Sequence, residues 1–98
     1  MQLADKYQAV RNHSALICSH LKTEDYIPQP AVFVSPPKWH LAHSTWFFEE
    51  FILKKHLKGY HVFHEDFGFL FNSYYNNIGD RTFRADRGNI TRPGVDEV

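Results

Sequence analysis

Ninety-eight residues, 43% hydrophobic and 16% aromatic, supply apolar material for one globular unit with a modest core and exclude an intrinsically disordered chain. Eleven lysines and arginines balance eleven aspartates and glutamates, so no global field draws nucleic acid or an anionic membrane, and small-molecule or protein partners are expected. The single cysteine, Cys18, excludes an internal disulfide and a Cys-rich zinc module and reads as core filler.

From Gln2 to Leu21 the residues Leu3, Tyr7, Val10, Ala15, Ile17, Cys18 and Leu21 form a broad apolar stripe with charges between, which predicts an amphipathic helix. Thr23–Tyr26 predicts one further turn, ended by Pro28 and Pro30, because proline lacks a donor and restricts the residue before it. After an extended linker over 31–34, a second helix is predicted from Pro36 to about Leu57. Ser35 is placed to cap it, Pro36 sits in the first turn where a missing N–H costs nothing, and Gly59 follows its end. At about 100° per residue, Trp39, His43, Trp46, Phe47 and Glu50 share one face of that helix.

A third helix is predicted over Asp66–Asn77, with Phe67, Leu70, Phe71, Tyr74 and Ile78 on one face and Gly79 as its stop. Beyond it Arg81, Arg84, Arg87 and Arg92 alternate with Gly88, Pro93 and Gly94, the pattern of a long ordered loop of the kind that often carries function. Pro93 followed by Val95, Asp96, Glu97 and Val98 has the proline and the acidic first turn of a fourth helix. The expected fold is therefore all-α, an incomplete up-down four-helix bundle of three helices, a long Arg-rich loop and the start of a fourth helix, with residues 1–98 part of a longer domain. No apolar run approaches the roughly 20 residues that span a bilayer and no signal-peptide core opens the chain, so a cytoplasmic protein is expected.

Seven histidines are candidates for chemistry, and a metal site needs their nitrogens to converge. His40 and His43 are three apart and about 60° apart around the helix, which leaves two readings open. They share a metal, or one is a hydrogen-bonded core histidine and the other lies near the surface. His13, beside Arg11 and Asn12, reads as solvated; His13 and His20 share a face of the first helix. His56, His61 and His64 gather near a helix end, where a cation suits the dipole. Arg84 and Arg87 present rigid donor forks matched to carboxylates, and the competing reading is surface ion pairs with Asp80 and Asp86 worth about 0–1 kcal/mol each. Trp39, Trp46, Phe47, Phe48, Tyr74 and Tyr75 suit either a core or a cation-π cage, and helical spacing favours the core.

Two ordered blocks carry a family resemblance. Ser35-Pro36-Pro37-Lys38-Trp39-His40-Leu41-Ala42-His43-Ser44-Thr45-Trp46-Phe47-Phe48-Glu49-Glu50 is one. Phe69-Leu70-Phe71-Asn72-Ser73-Tyr74-Tyr75 followed by Arg81-Thr82-Phe83-Arg84-Ala85-Asp86-Arg87-Gly88 and Thr91-Arg92-Pro93-Gly94-Val95-Asp96-Glu97-Val98 is the other. From about Tyr26 to Val98 the chain resembles the DinB-like N-terminal domain of ergothioneine-biosynthesis sulfoxide synthases, the EgtB-type non-haem iron enzymes. The resemblance implies a DinB-like bundle followed by a domain related to formylglycine-generating enzymes. It implies Fe(II) bound by His43 and by two histidines of a later helix, and Arg84 and Arg87 binding the carboxylates of γ-glutamylcysteine or cysteine. The implied reaction uses O2 to join that thiol to trimethylhistidine (hercynine) as a sulfoxide. With one ligand in hand, residues 1–98 alone are expected to be inactive and to hold divalent metal weakly. Two alternatives stand beside this reading: an ovothiol-type or selenium-using relative, and a stand-alone helical binding module whose open apolar face self-associates.

Overall fold

The computed structural model of the chain describes residues 2–73 and 82–98, and every regular element among them is helical. Helix α1 (Leu3–Cys18) runs without an internal glycine or proline and ends at Ser19, whose backbone N–H and hydroxyl both donate to the Leu16 carbonyl. That double bond satisfies a terminal carbonyl and stops the helix three residues before the predicted Leu21.

The apolar stripe expected of α1 does not enter the core: the helix has no buried residue, and Leu3 is 81% exposed. A few contacts from Tyr7 of the stripe and from residues outside it dock the helix instead. Tyr7 meets Phe48 edge to face at 4.8 Å, Arg11 donates to the Thr45 hydroxyl at 3.0 Å, and the Tyr26 hydroxyl donates to the Cys18 carbonyl. Cys18 is half-buried rather than core filler.

A 3-10 turn over Thr23–Tyr26 occupies the predicted place, with the Asp25 carboxylate accepting the Lys22 N–H. Helix α2 (Pro37–Phe48) then begins one residue after the extended Pro36, which acts as the capping position without any side-chain cap. The Ser35 cap expected from the sequence does not form: Pro36 takes the capping position, which puts Ser35 one residue outside it, and the Ser35 hydroxyl accepts a 2.8 Å hydrogen bond from Arg87 Nη1, 52 residues away.

α2 continues through a π-helical turn (Glu49–Leu53) into the short α3 (Lys54–His56), and Gly59 takes the left-handed φ of +80° in the turn beyond. Helix α4 (Phe67–Phe71) is shorter than the predicted Asp66–Asn77, since Asn72 is already extended; positions 74–77 of that prediction lie outside the described residues. Trp39, Ala42 and Trp46 of α2 pack against Phe67 and Phe71 of α4, with Ile90 closing the core. Phe67 and Phe71 meet edge to face at 4.8 Å, and full burial of each is worth about 1.5–3 kcal/mol.

The Arg-rich loop is ordered where it is described. It forms a 3-10 stretch (Arg84–Asn89) and a last short turn (Val95–Glu97) where the fourth helix was expected to start. Gln29 holds the first stretch, donating to the Val34 and Arg84 carbonyls and accepting the Gly88 N–H at 2.6 Å. Lys38, 3% exposed, donates to the Ile90 and Pro93 carbonyls at 2.8 and 3.0 Å, tying the second stretch onto α2. Among the described residues no helix is long and apolar enough to cross a membrane.

Candidate functional site

His43 lies half-buried on α2, one turn beyond Trp39, and α4 fixes its ring. Nδ1 stands 2.6 Å from the Phe71 carbonyl oxygen at the end of α4. A carbonyl only accepts, so Nδ1 carries the hydrogen, and in the neutral ring the lone pair belongs to Nε2. Tying one imidazole nitrogen to a backbone carbonyl is the usual way a protein orients the other toward a metal.

Stacking sets the plane of the ring. His43 lies parallel to the Trp39 indole, with centroids 4.6 Å apart and planes 8° apart, and Trp46 approaches at 5.7 Å. Burial pushes the His43 pKa below the ordinary histidine value; the Phe71 hydrogen bond opposes this and the Arg87 charge adds to it. The ring is therefore held neutral, the form that donates to a metal.

His40 is exposed and stands edge-on to Trp39, at 87°, so the two imidazoles of the pair are close to perpendicular. His13, His20, His56 and His61 are exposed, while His64 accepts the Asp66 N–H and stacks on Phe67. Among the described residues no three His, Cys, Asp or Glu side chains converge as a metal site. His43 thus fits the role of one ligand, and the described residues do not complete an iron site around it.

The two arginines occupy different surroundings. Arg84 is half-exposed on the 3-10 stretch whose carbonyl Gln29 holds. Arg87 is 3% exposed, with the centre of its guanidinium 3.6 Å over the Trp39 ring and Nη1 on the Ser35 hydroxyl. As placed, Arg84 is the arginine that meets solvent. Trp39 and Trp46 belong to the core, and Tyr74 and Tyr75 lie outside the described residues.

Two buried charges escaped the sequence reading. Lys38 and Glu49 cap the two ends of the line Lys38–Ala42–Trp46–Glu49, whose steps of three and four residues mark one helix face. Extending the Ala42–Trp46 line in both directions would have found them. Glu49, 3% exposed, accepts the Tyr60 hydroxyl at 2.6 Å and the Phe63 N–H at 2.7 Å through Oε2. Glu50, placed on the inner face by the 100° count, instead pairs with Lys54 in the π turn and α3 that follow, where that count no longer applies.

An open cleft of about 420 Å3 lies beside Glu49, lined by Trp46, Lys54, His64, Phe69 and Asn72 among others, and it contains neither His43 nor the two arginines. No family model matches the chain, and no curated protein matches it as a relative.

Proposed function

We propose that the chain is part of a DinB-like helical bundle of a non-haem iron sulfoxide synthase, with His43 as one iron ligand. The observation that carries the reading is the single bond from Nδ1 to the Phe71 carbonyl, which leaves Nε2 of a neutral, plane-fixed imidazole as the donor. Residues outside those described supply the remaining ligands in this proposal. Fe(II), when bound, supplies the oxygen chemistry that joins a cysteine-containing thiol to hercynine. This chain orients one ligand, excludes water from one side of it through Trp39 and Trp46, and offers guanidinium forks to the thiol's carboxylates from Arg84 and Arg87. Arg84 is the more exposed of the two.

The test uses the full-length gene product. His43→Ala should lose bound iron and turnover together, and retained iron stoichiometry with normal turnover would overturn the assignment. Arg84→Ala should raise the thiol KM and leave the hercynine KM near its original value.

A second reading, a helical docking module, is favoured by one observation: Leu3, Val10, Leu16 and Ile17 of α1 are all more than half exposed. Sedimentation of the His43→Ala protein separates the two, because the module reading predicts unchanged self-association and no iron in either protein.

A further inference from the structure

We infer that Arg87 is a positioning residue for the His43 imidazole, acting through the Trp39 indole between them; the inference rests on the reading of His43 as a donor.

Three flat groups form a column. The guanidinium centre is 3.6 Å from the Trp39 ring centroid, and the His43 centroid is 4.6 Å from that indole with its plane only 8° away. A guanidinium and an imidazole that close to one ring would overlap on a single face, so the indole is sandwiched. Each end of the column carries a hydrogen bond to another part of the chain. Arg87 Nη1 donates to the Ser35 hydroxyl at 2.8 Å, and His43 Nδ1 donates to the Phe71 carbonyl at 2.6 Å.

The buried indole N–H of Trp39 meets no acceptor among the described residues, so no hydrogen bond fixes the ring. Core packing holds its edges, and the guanidinium and the imidazole hold its two faces. Because the sequence carries Trp39 and His43 one helical turn apart, any tilt of the indole passes directly to the imidazole. A tilted imidazole loses the alignment of Nδ1 with the Phe71 carbonyl, and with it the preference for Nε2 as the lone-pair nitrogen.

The chemistry explains the residue type at position 87. A guanidinium is planar, weakly hydrated and cationic, so it lies flat on an electron-rich indole while desolvated, which a lysine ammonium cannot do. At 3% exposure the side chain makes this contact away from solvent, so carboxylate binding by Arg87 requires it to move off the indole.

The experiment is long-range 1H–15N correlation of the histidine rings in the full chain, with Arg87→Lys as the main variant and Ser35→Ala as the milder one. The original chain should show His43 as the Nδ1–H tautomer. Arg87→Lys, which keeps the charge and removes the plane, should shift His43 toward a mixture of tautomers, and Ser35→Ala should shift it less and in the same direction. Co(II) affinity should fall about 10-fold with the tautomer, the loss typical when a group orienting a ligand is removed. A His43 signature unchanged in either variant that retains native circular dichroism overturns the inference. Co(II) broadening centred away from His43 in the unaltered chain overturns the donor reading instead, and the tautomer shifts distinguish that result from failure of the column.

Discussion

Lys38→Met tests whether a buried ammonium tethers the Arg-rich loop to α2. Lys38 is 3% exposed and donates to the carbonyls of Ile90 and Pro93, both buried residues. Methionine keeps the stem and loses both donors. Two buried carbonyls left unpaired cost about 1–3 kcal/mol each, and relief from burying an ammonium that already keeps two hydrogen bonds returns only part of that. The asymmetry between losing one partner and losing both leaves a net destabilisation of about 1–3 kcal/mol near neutral pH.

The pH dependence provides a second readout of Lys38. Burial, followed by the nearby Arg92 charge, pushes its pKa below the ordinary lysine value of 10.5. Between that lowered value and 10.5 the unfolded chain binds more protons than the folded one, so stability rises with pH through that window. The methionine variant lacks this contribution, and the stability gap between the two proteins should widen as pH rises toward 10. Urea unfolding followed by Trp39 and Trp46 fluorescence at neutral pH and at pH near 10 measures both quantities. A variant within about 0.5 kcal/mol of the parent, the range of an ordinary surface change, or a gap that narrows as pH rises, would refute the tether.

The Tyr60 phenol is pushed up to about 12, first by its hydrogen bond to Glu49 and then by burial and the Glu49 charge. Ultraviolet titration, taken as the difference from Tyr60→Phe, should find it returning toward 10 in Glu49→Gln; a titration unmoved by that change would deny the bond. Because the folded pKa is raised, this interaction contributes stability below pH 10 and loses it between 10 and about 12. Gly88→Ala puts a methyl 2.8 Å from Gln29 Cβ and 2.9 Å from Gln29 Oε1, so the clamp must shift and release the Gly88 N–H. The expected loss is about 1–3 kcal/mol, seen as a lower Tm, and an unchanged Tm would mean that the clamp holds nothing.

Element type and chain order were legible in the sequence because they rest on local signals. Pro28, Pro30 and Pro36 separate the Thr23–Tyr26 turn from α2, Pro37 opens α2, and Gly59 falls in the turn after α3 with the positive φ that suits glycine. The face with Trp39, His43 and Trp46 follows from helical periodicity alone, and the structure buries Trp39 and Trp46 and half-buries His43, with Ala42 added between them.

Contacts distant in sequence decided the rest. Ser35 reads locally as a cap, yet its hydroxyl accepts from Arg87; Lys38 and Glu49 drew no reading from the sequence, yet carbonyls from 90 and 93 and donors from 60 and 63 enclose them. The apolar residues of α1 read as core, yet none of them is buried, and Tyr7 and the charged Arg11 contact α2. Periodicity states which side chains share a helix face but not what lies opposite that face, and opposition is what desolvates a charge or orients a ring. The chain itself encodes the helices and their apolar line. Tertiary packing determines which nitrogen of His43 carries the proton, because its partner, the Phe71 carbonyl, is 28 residues away.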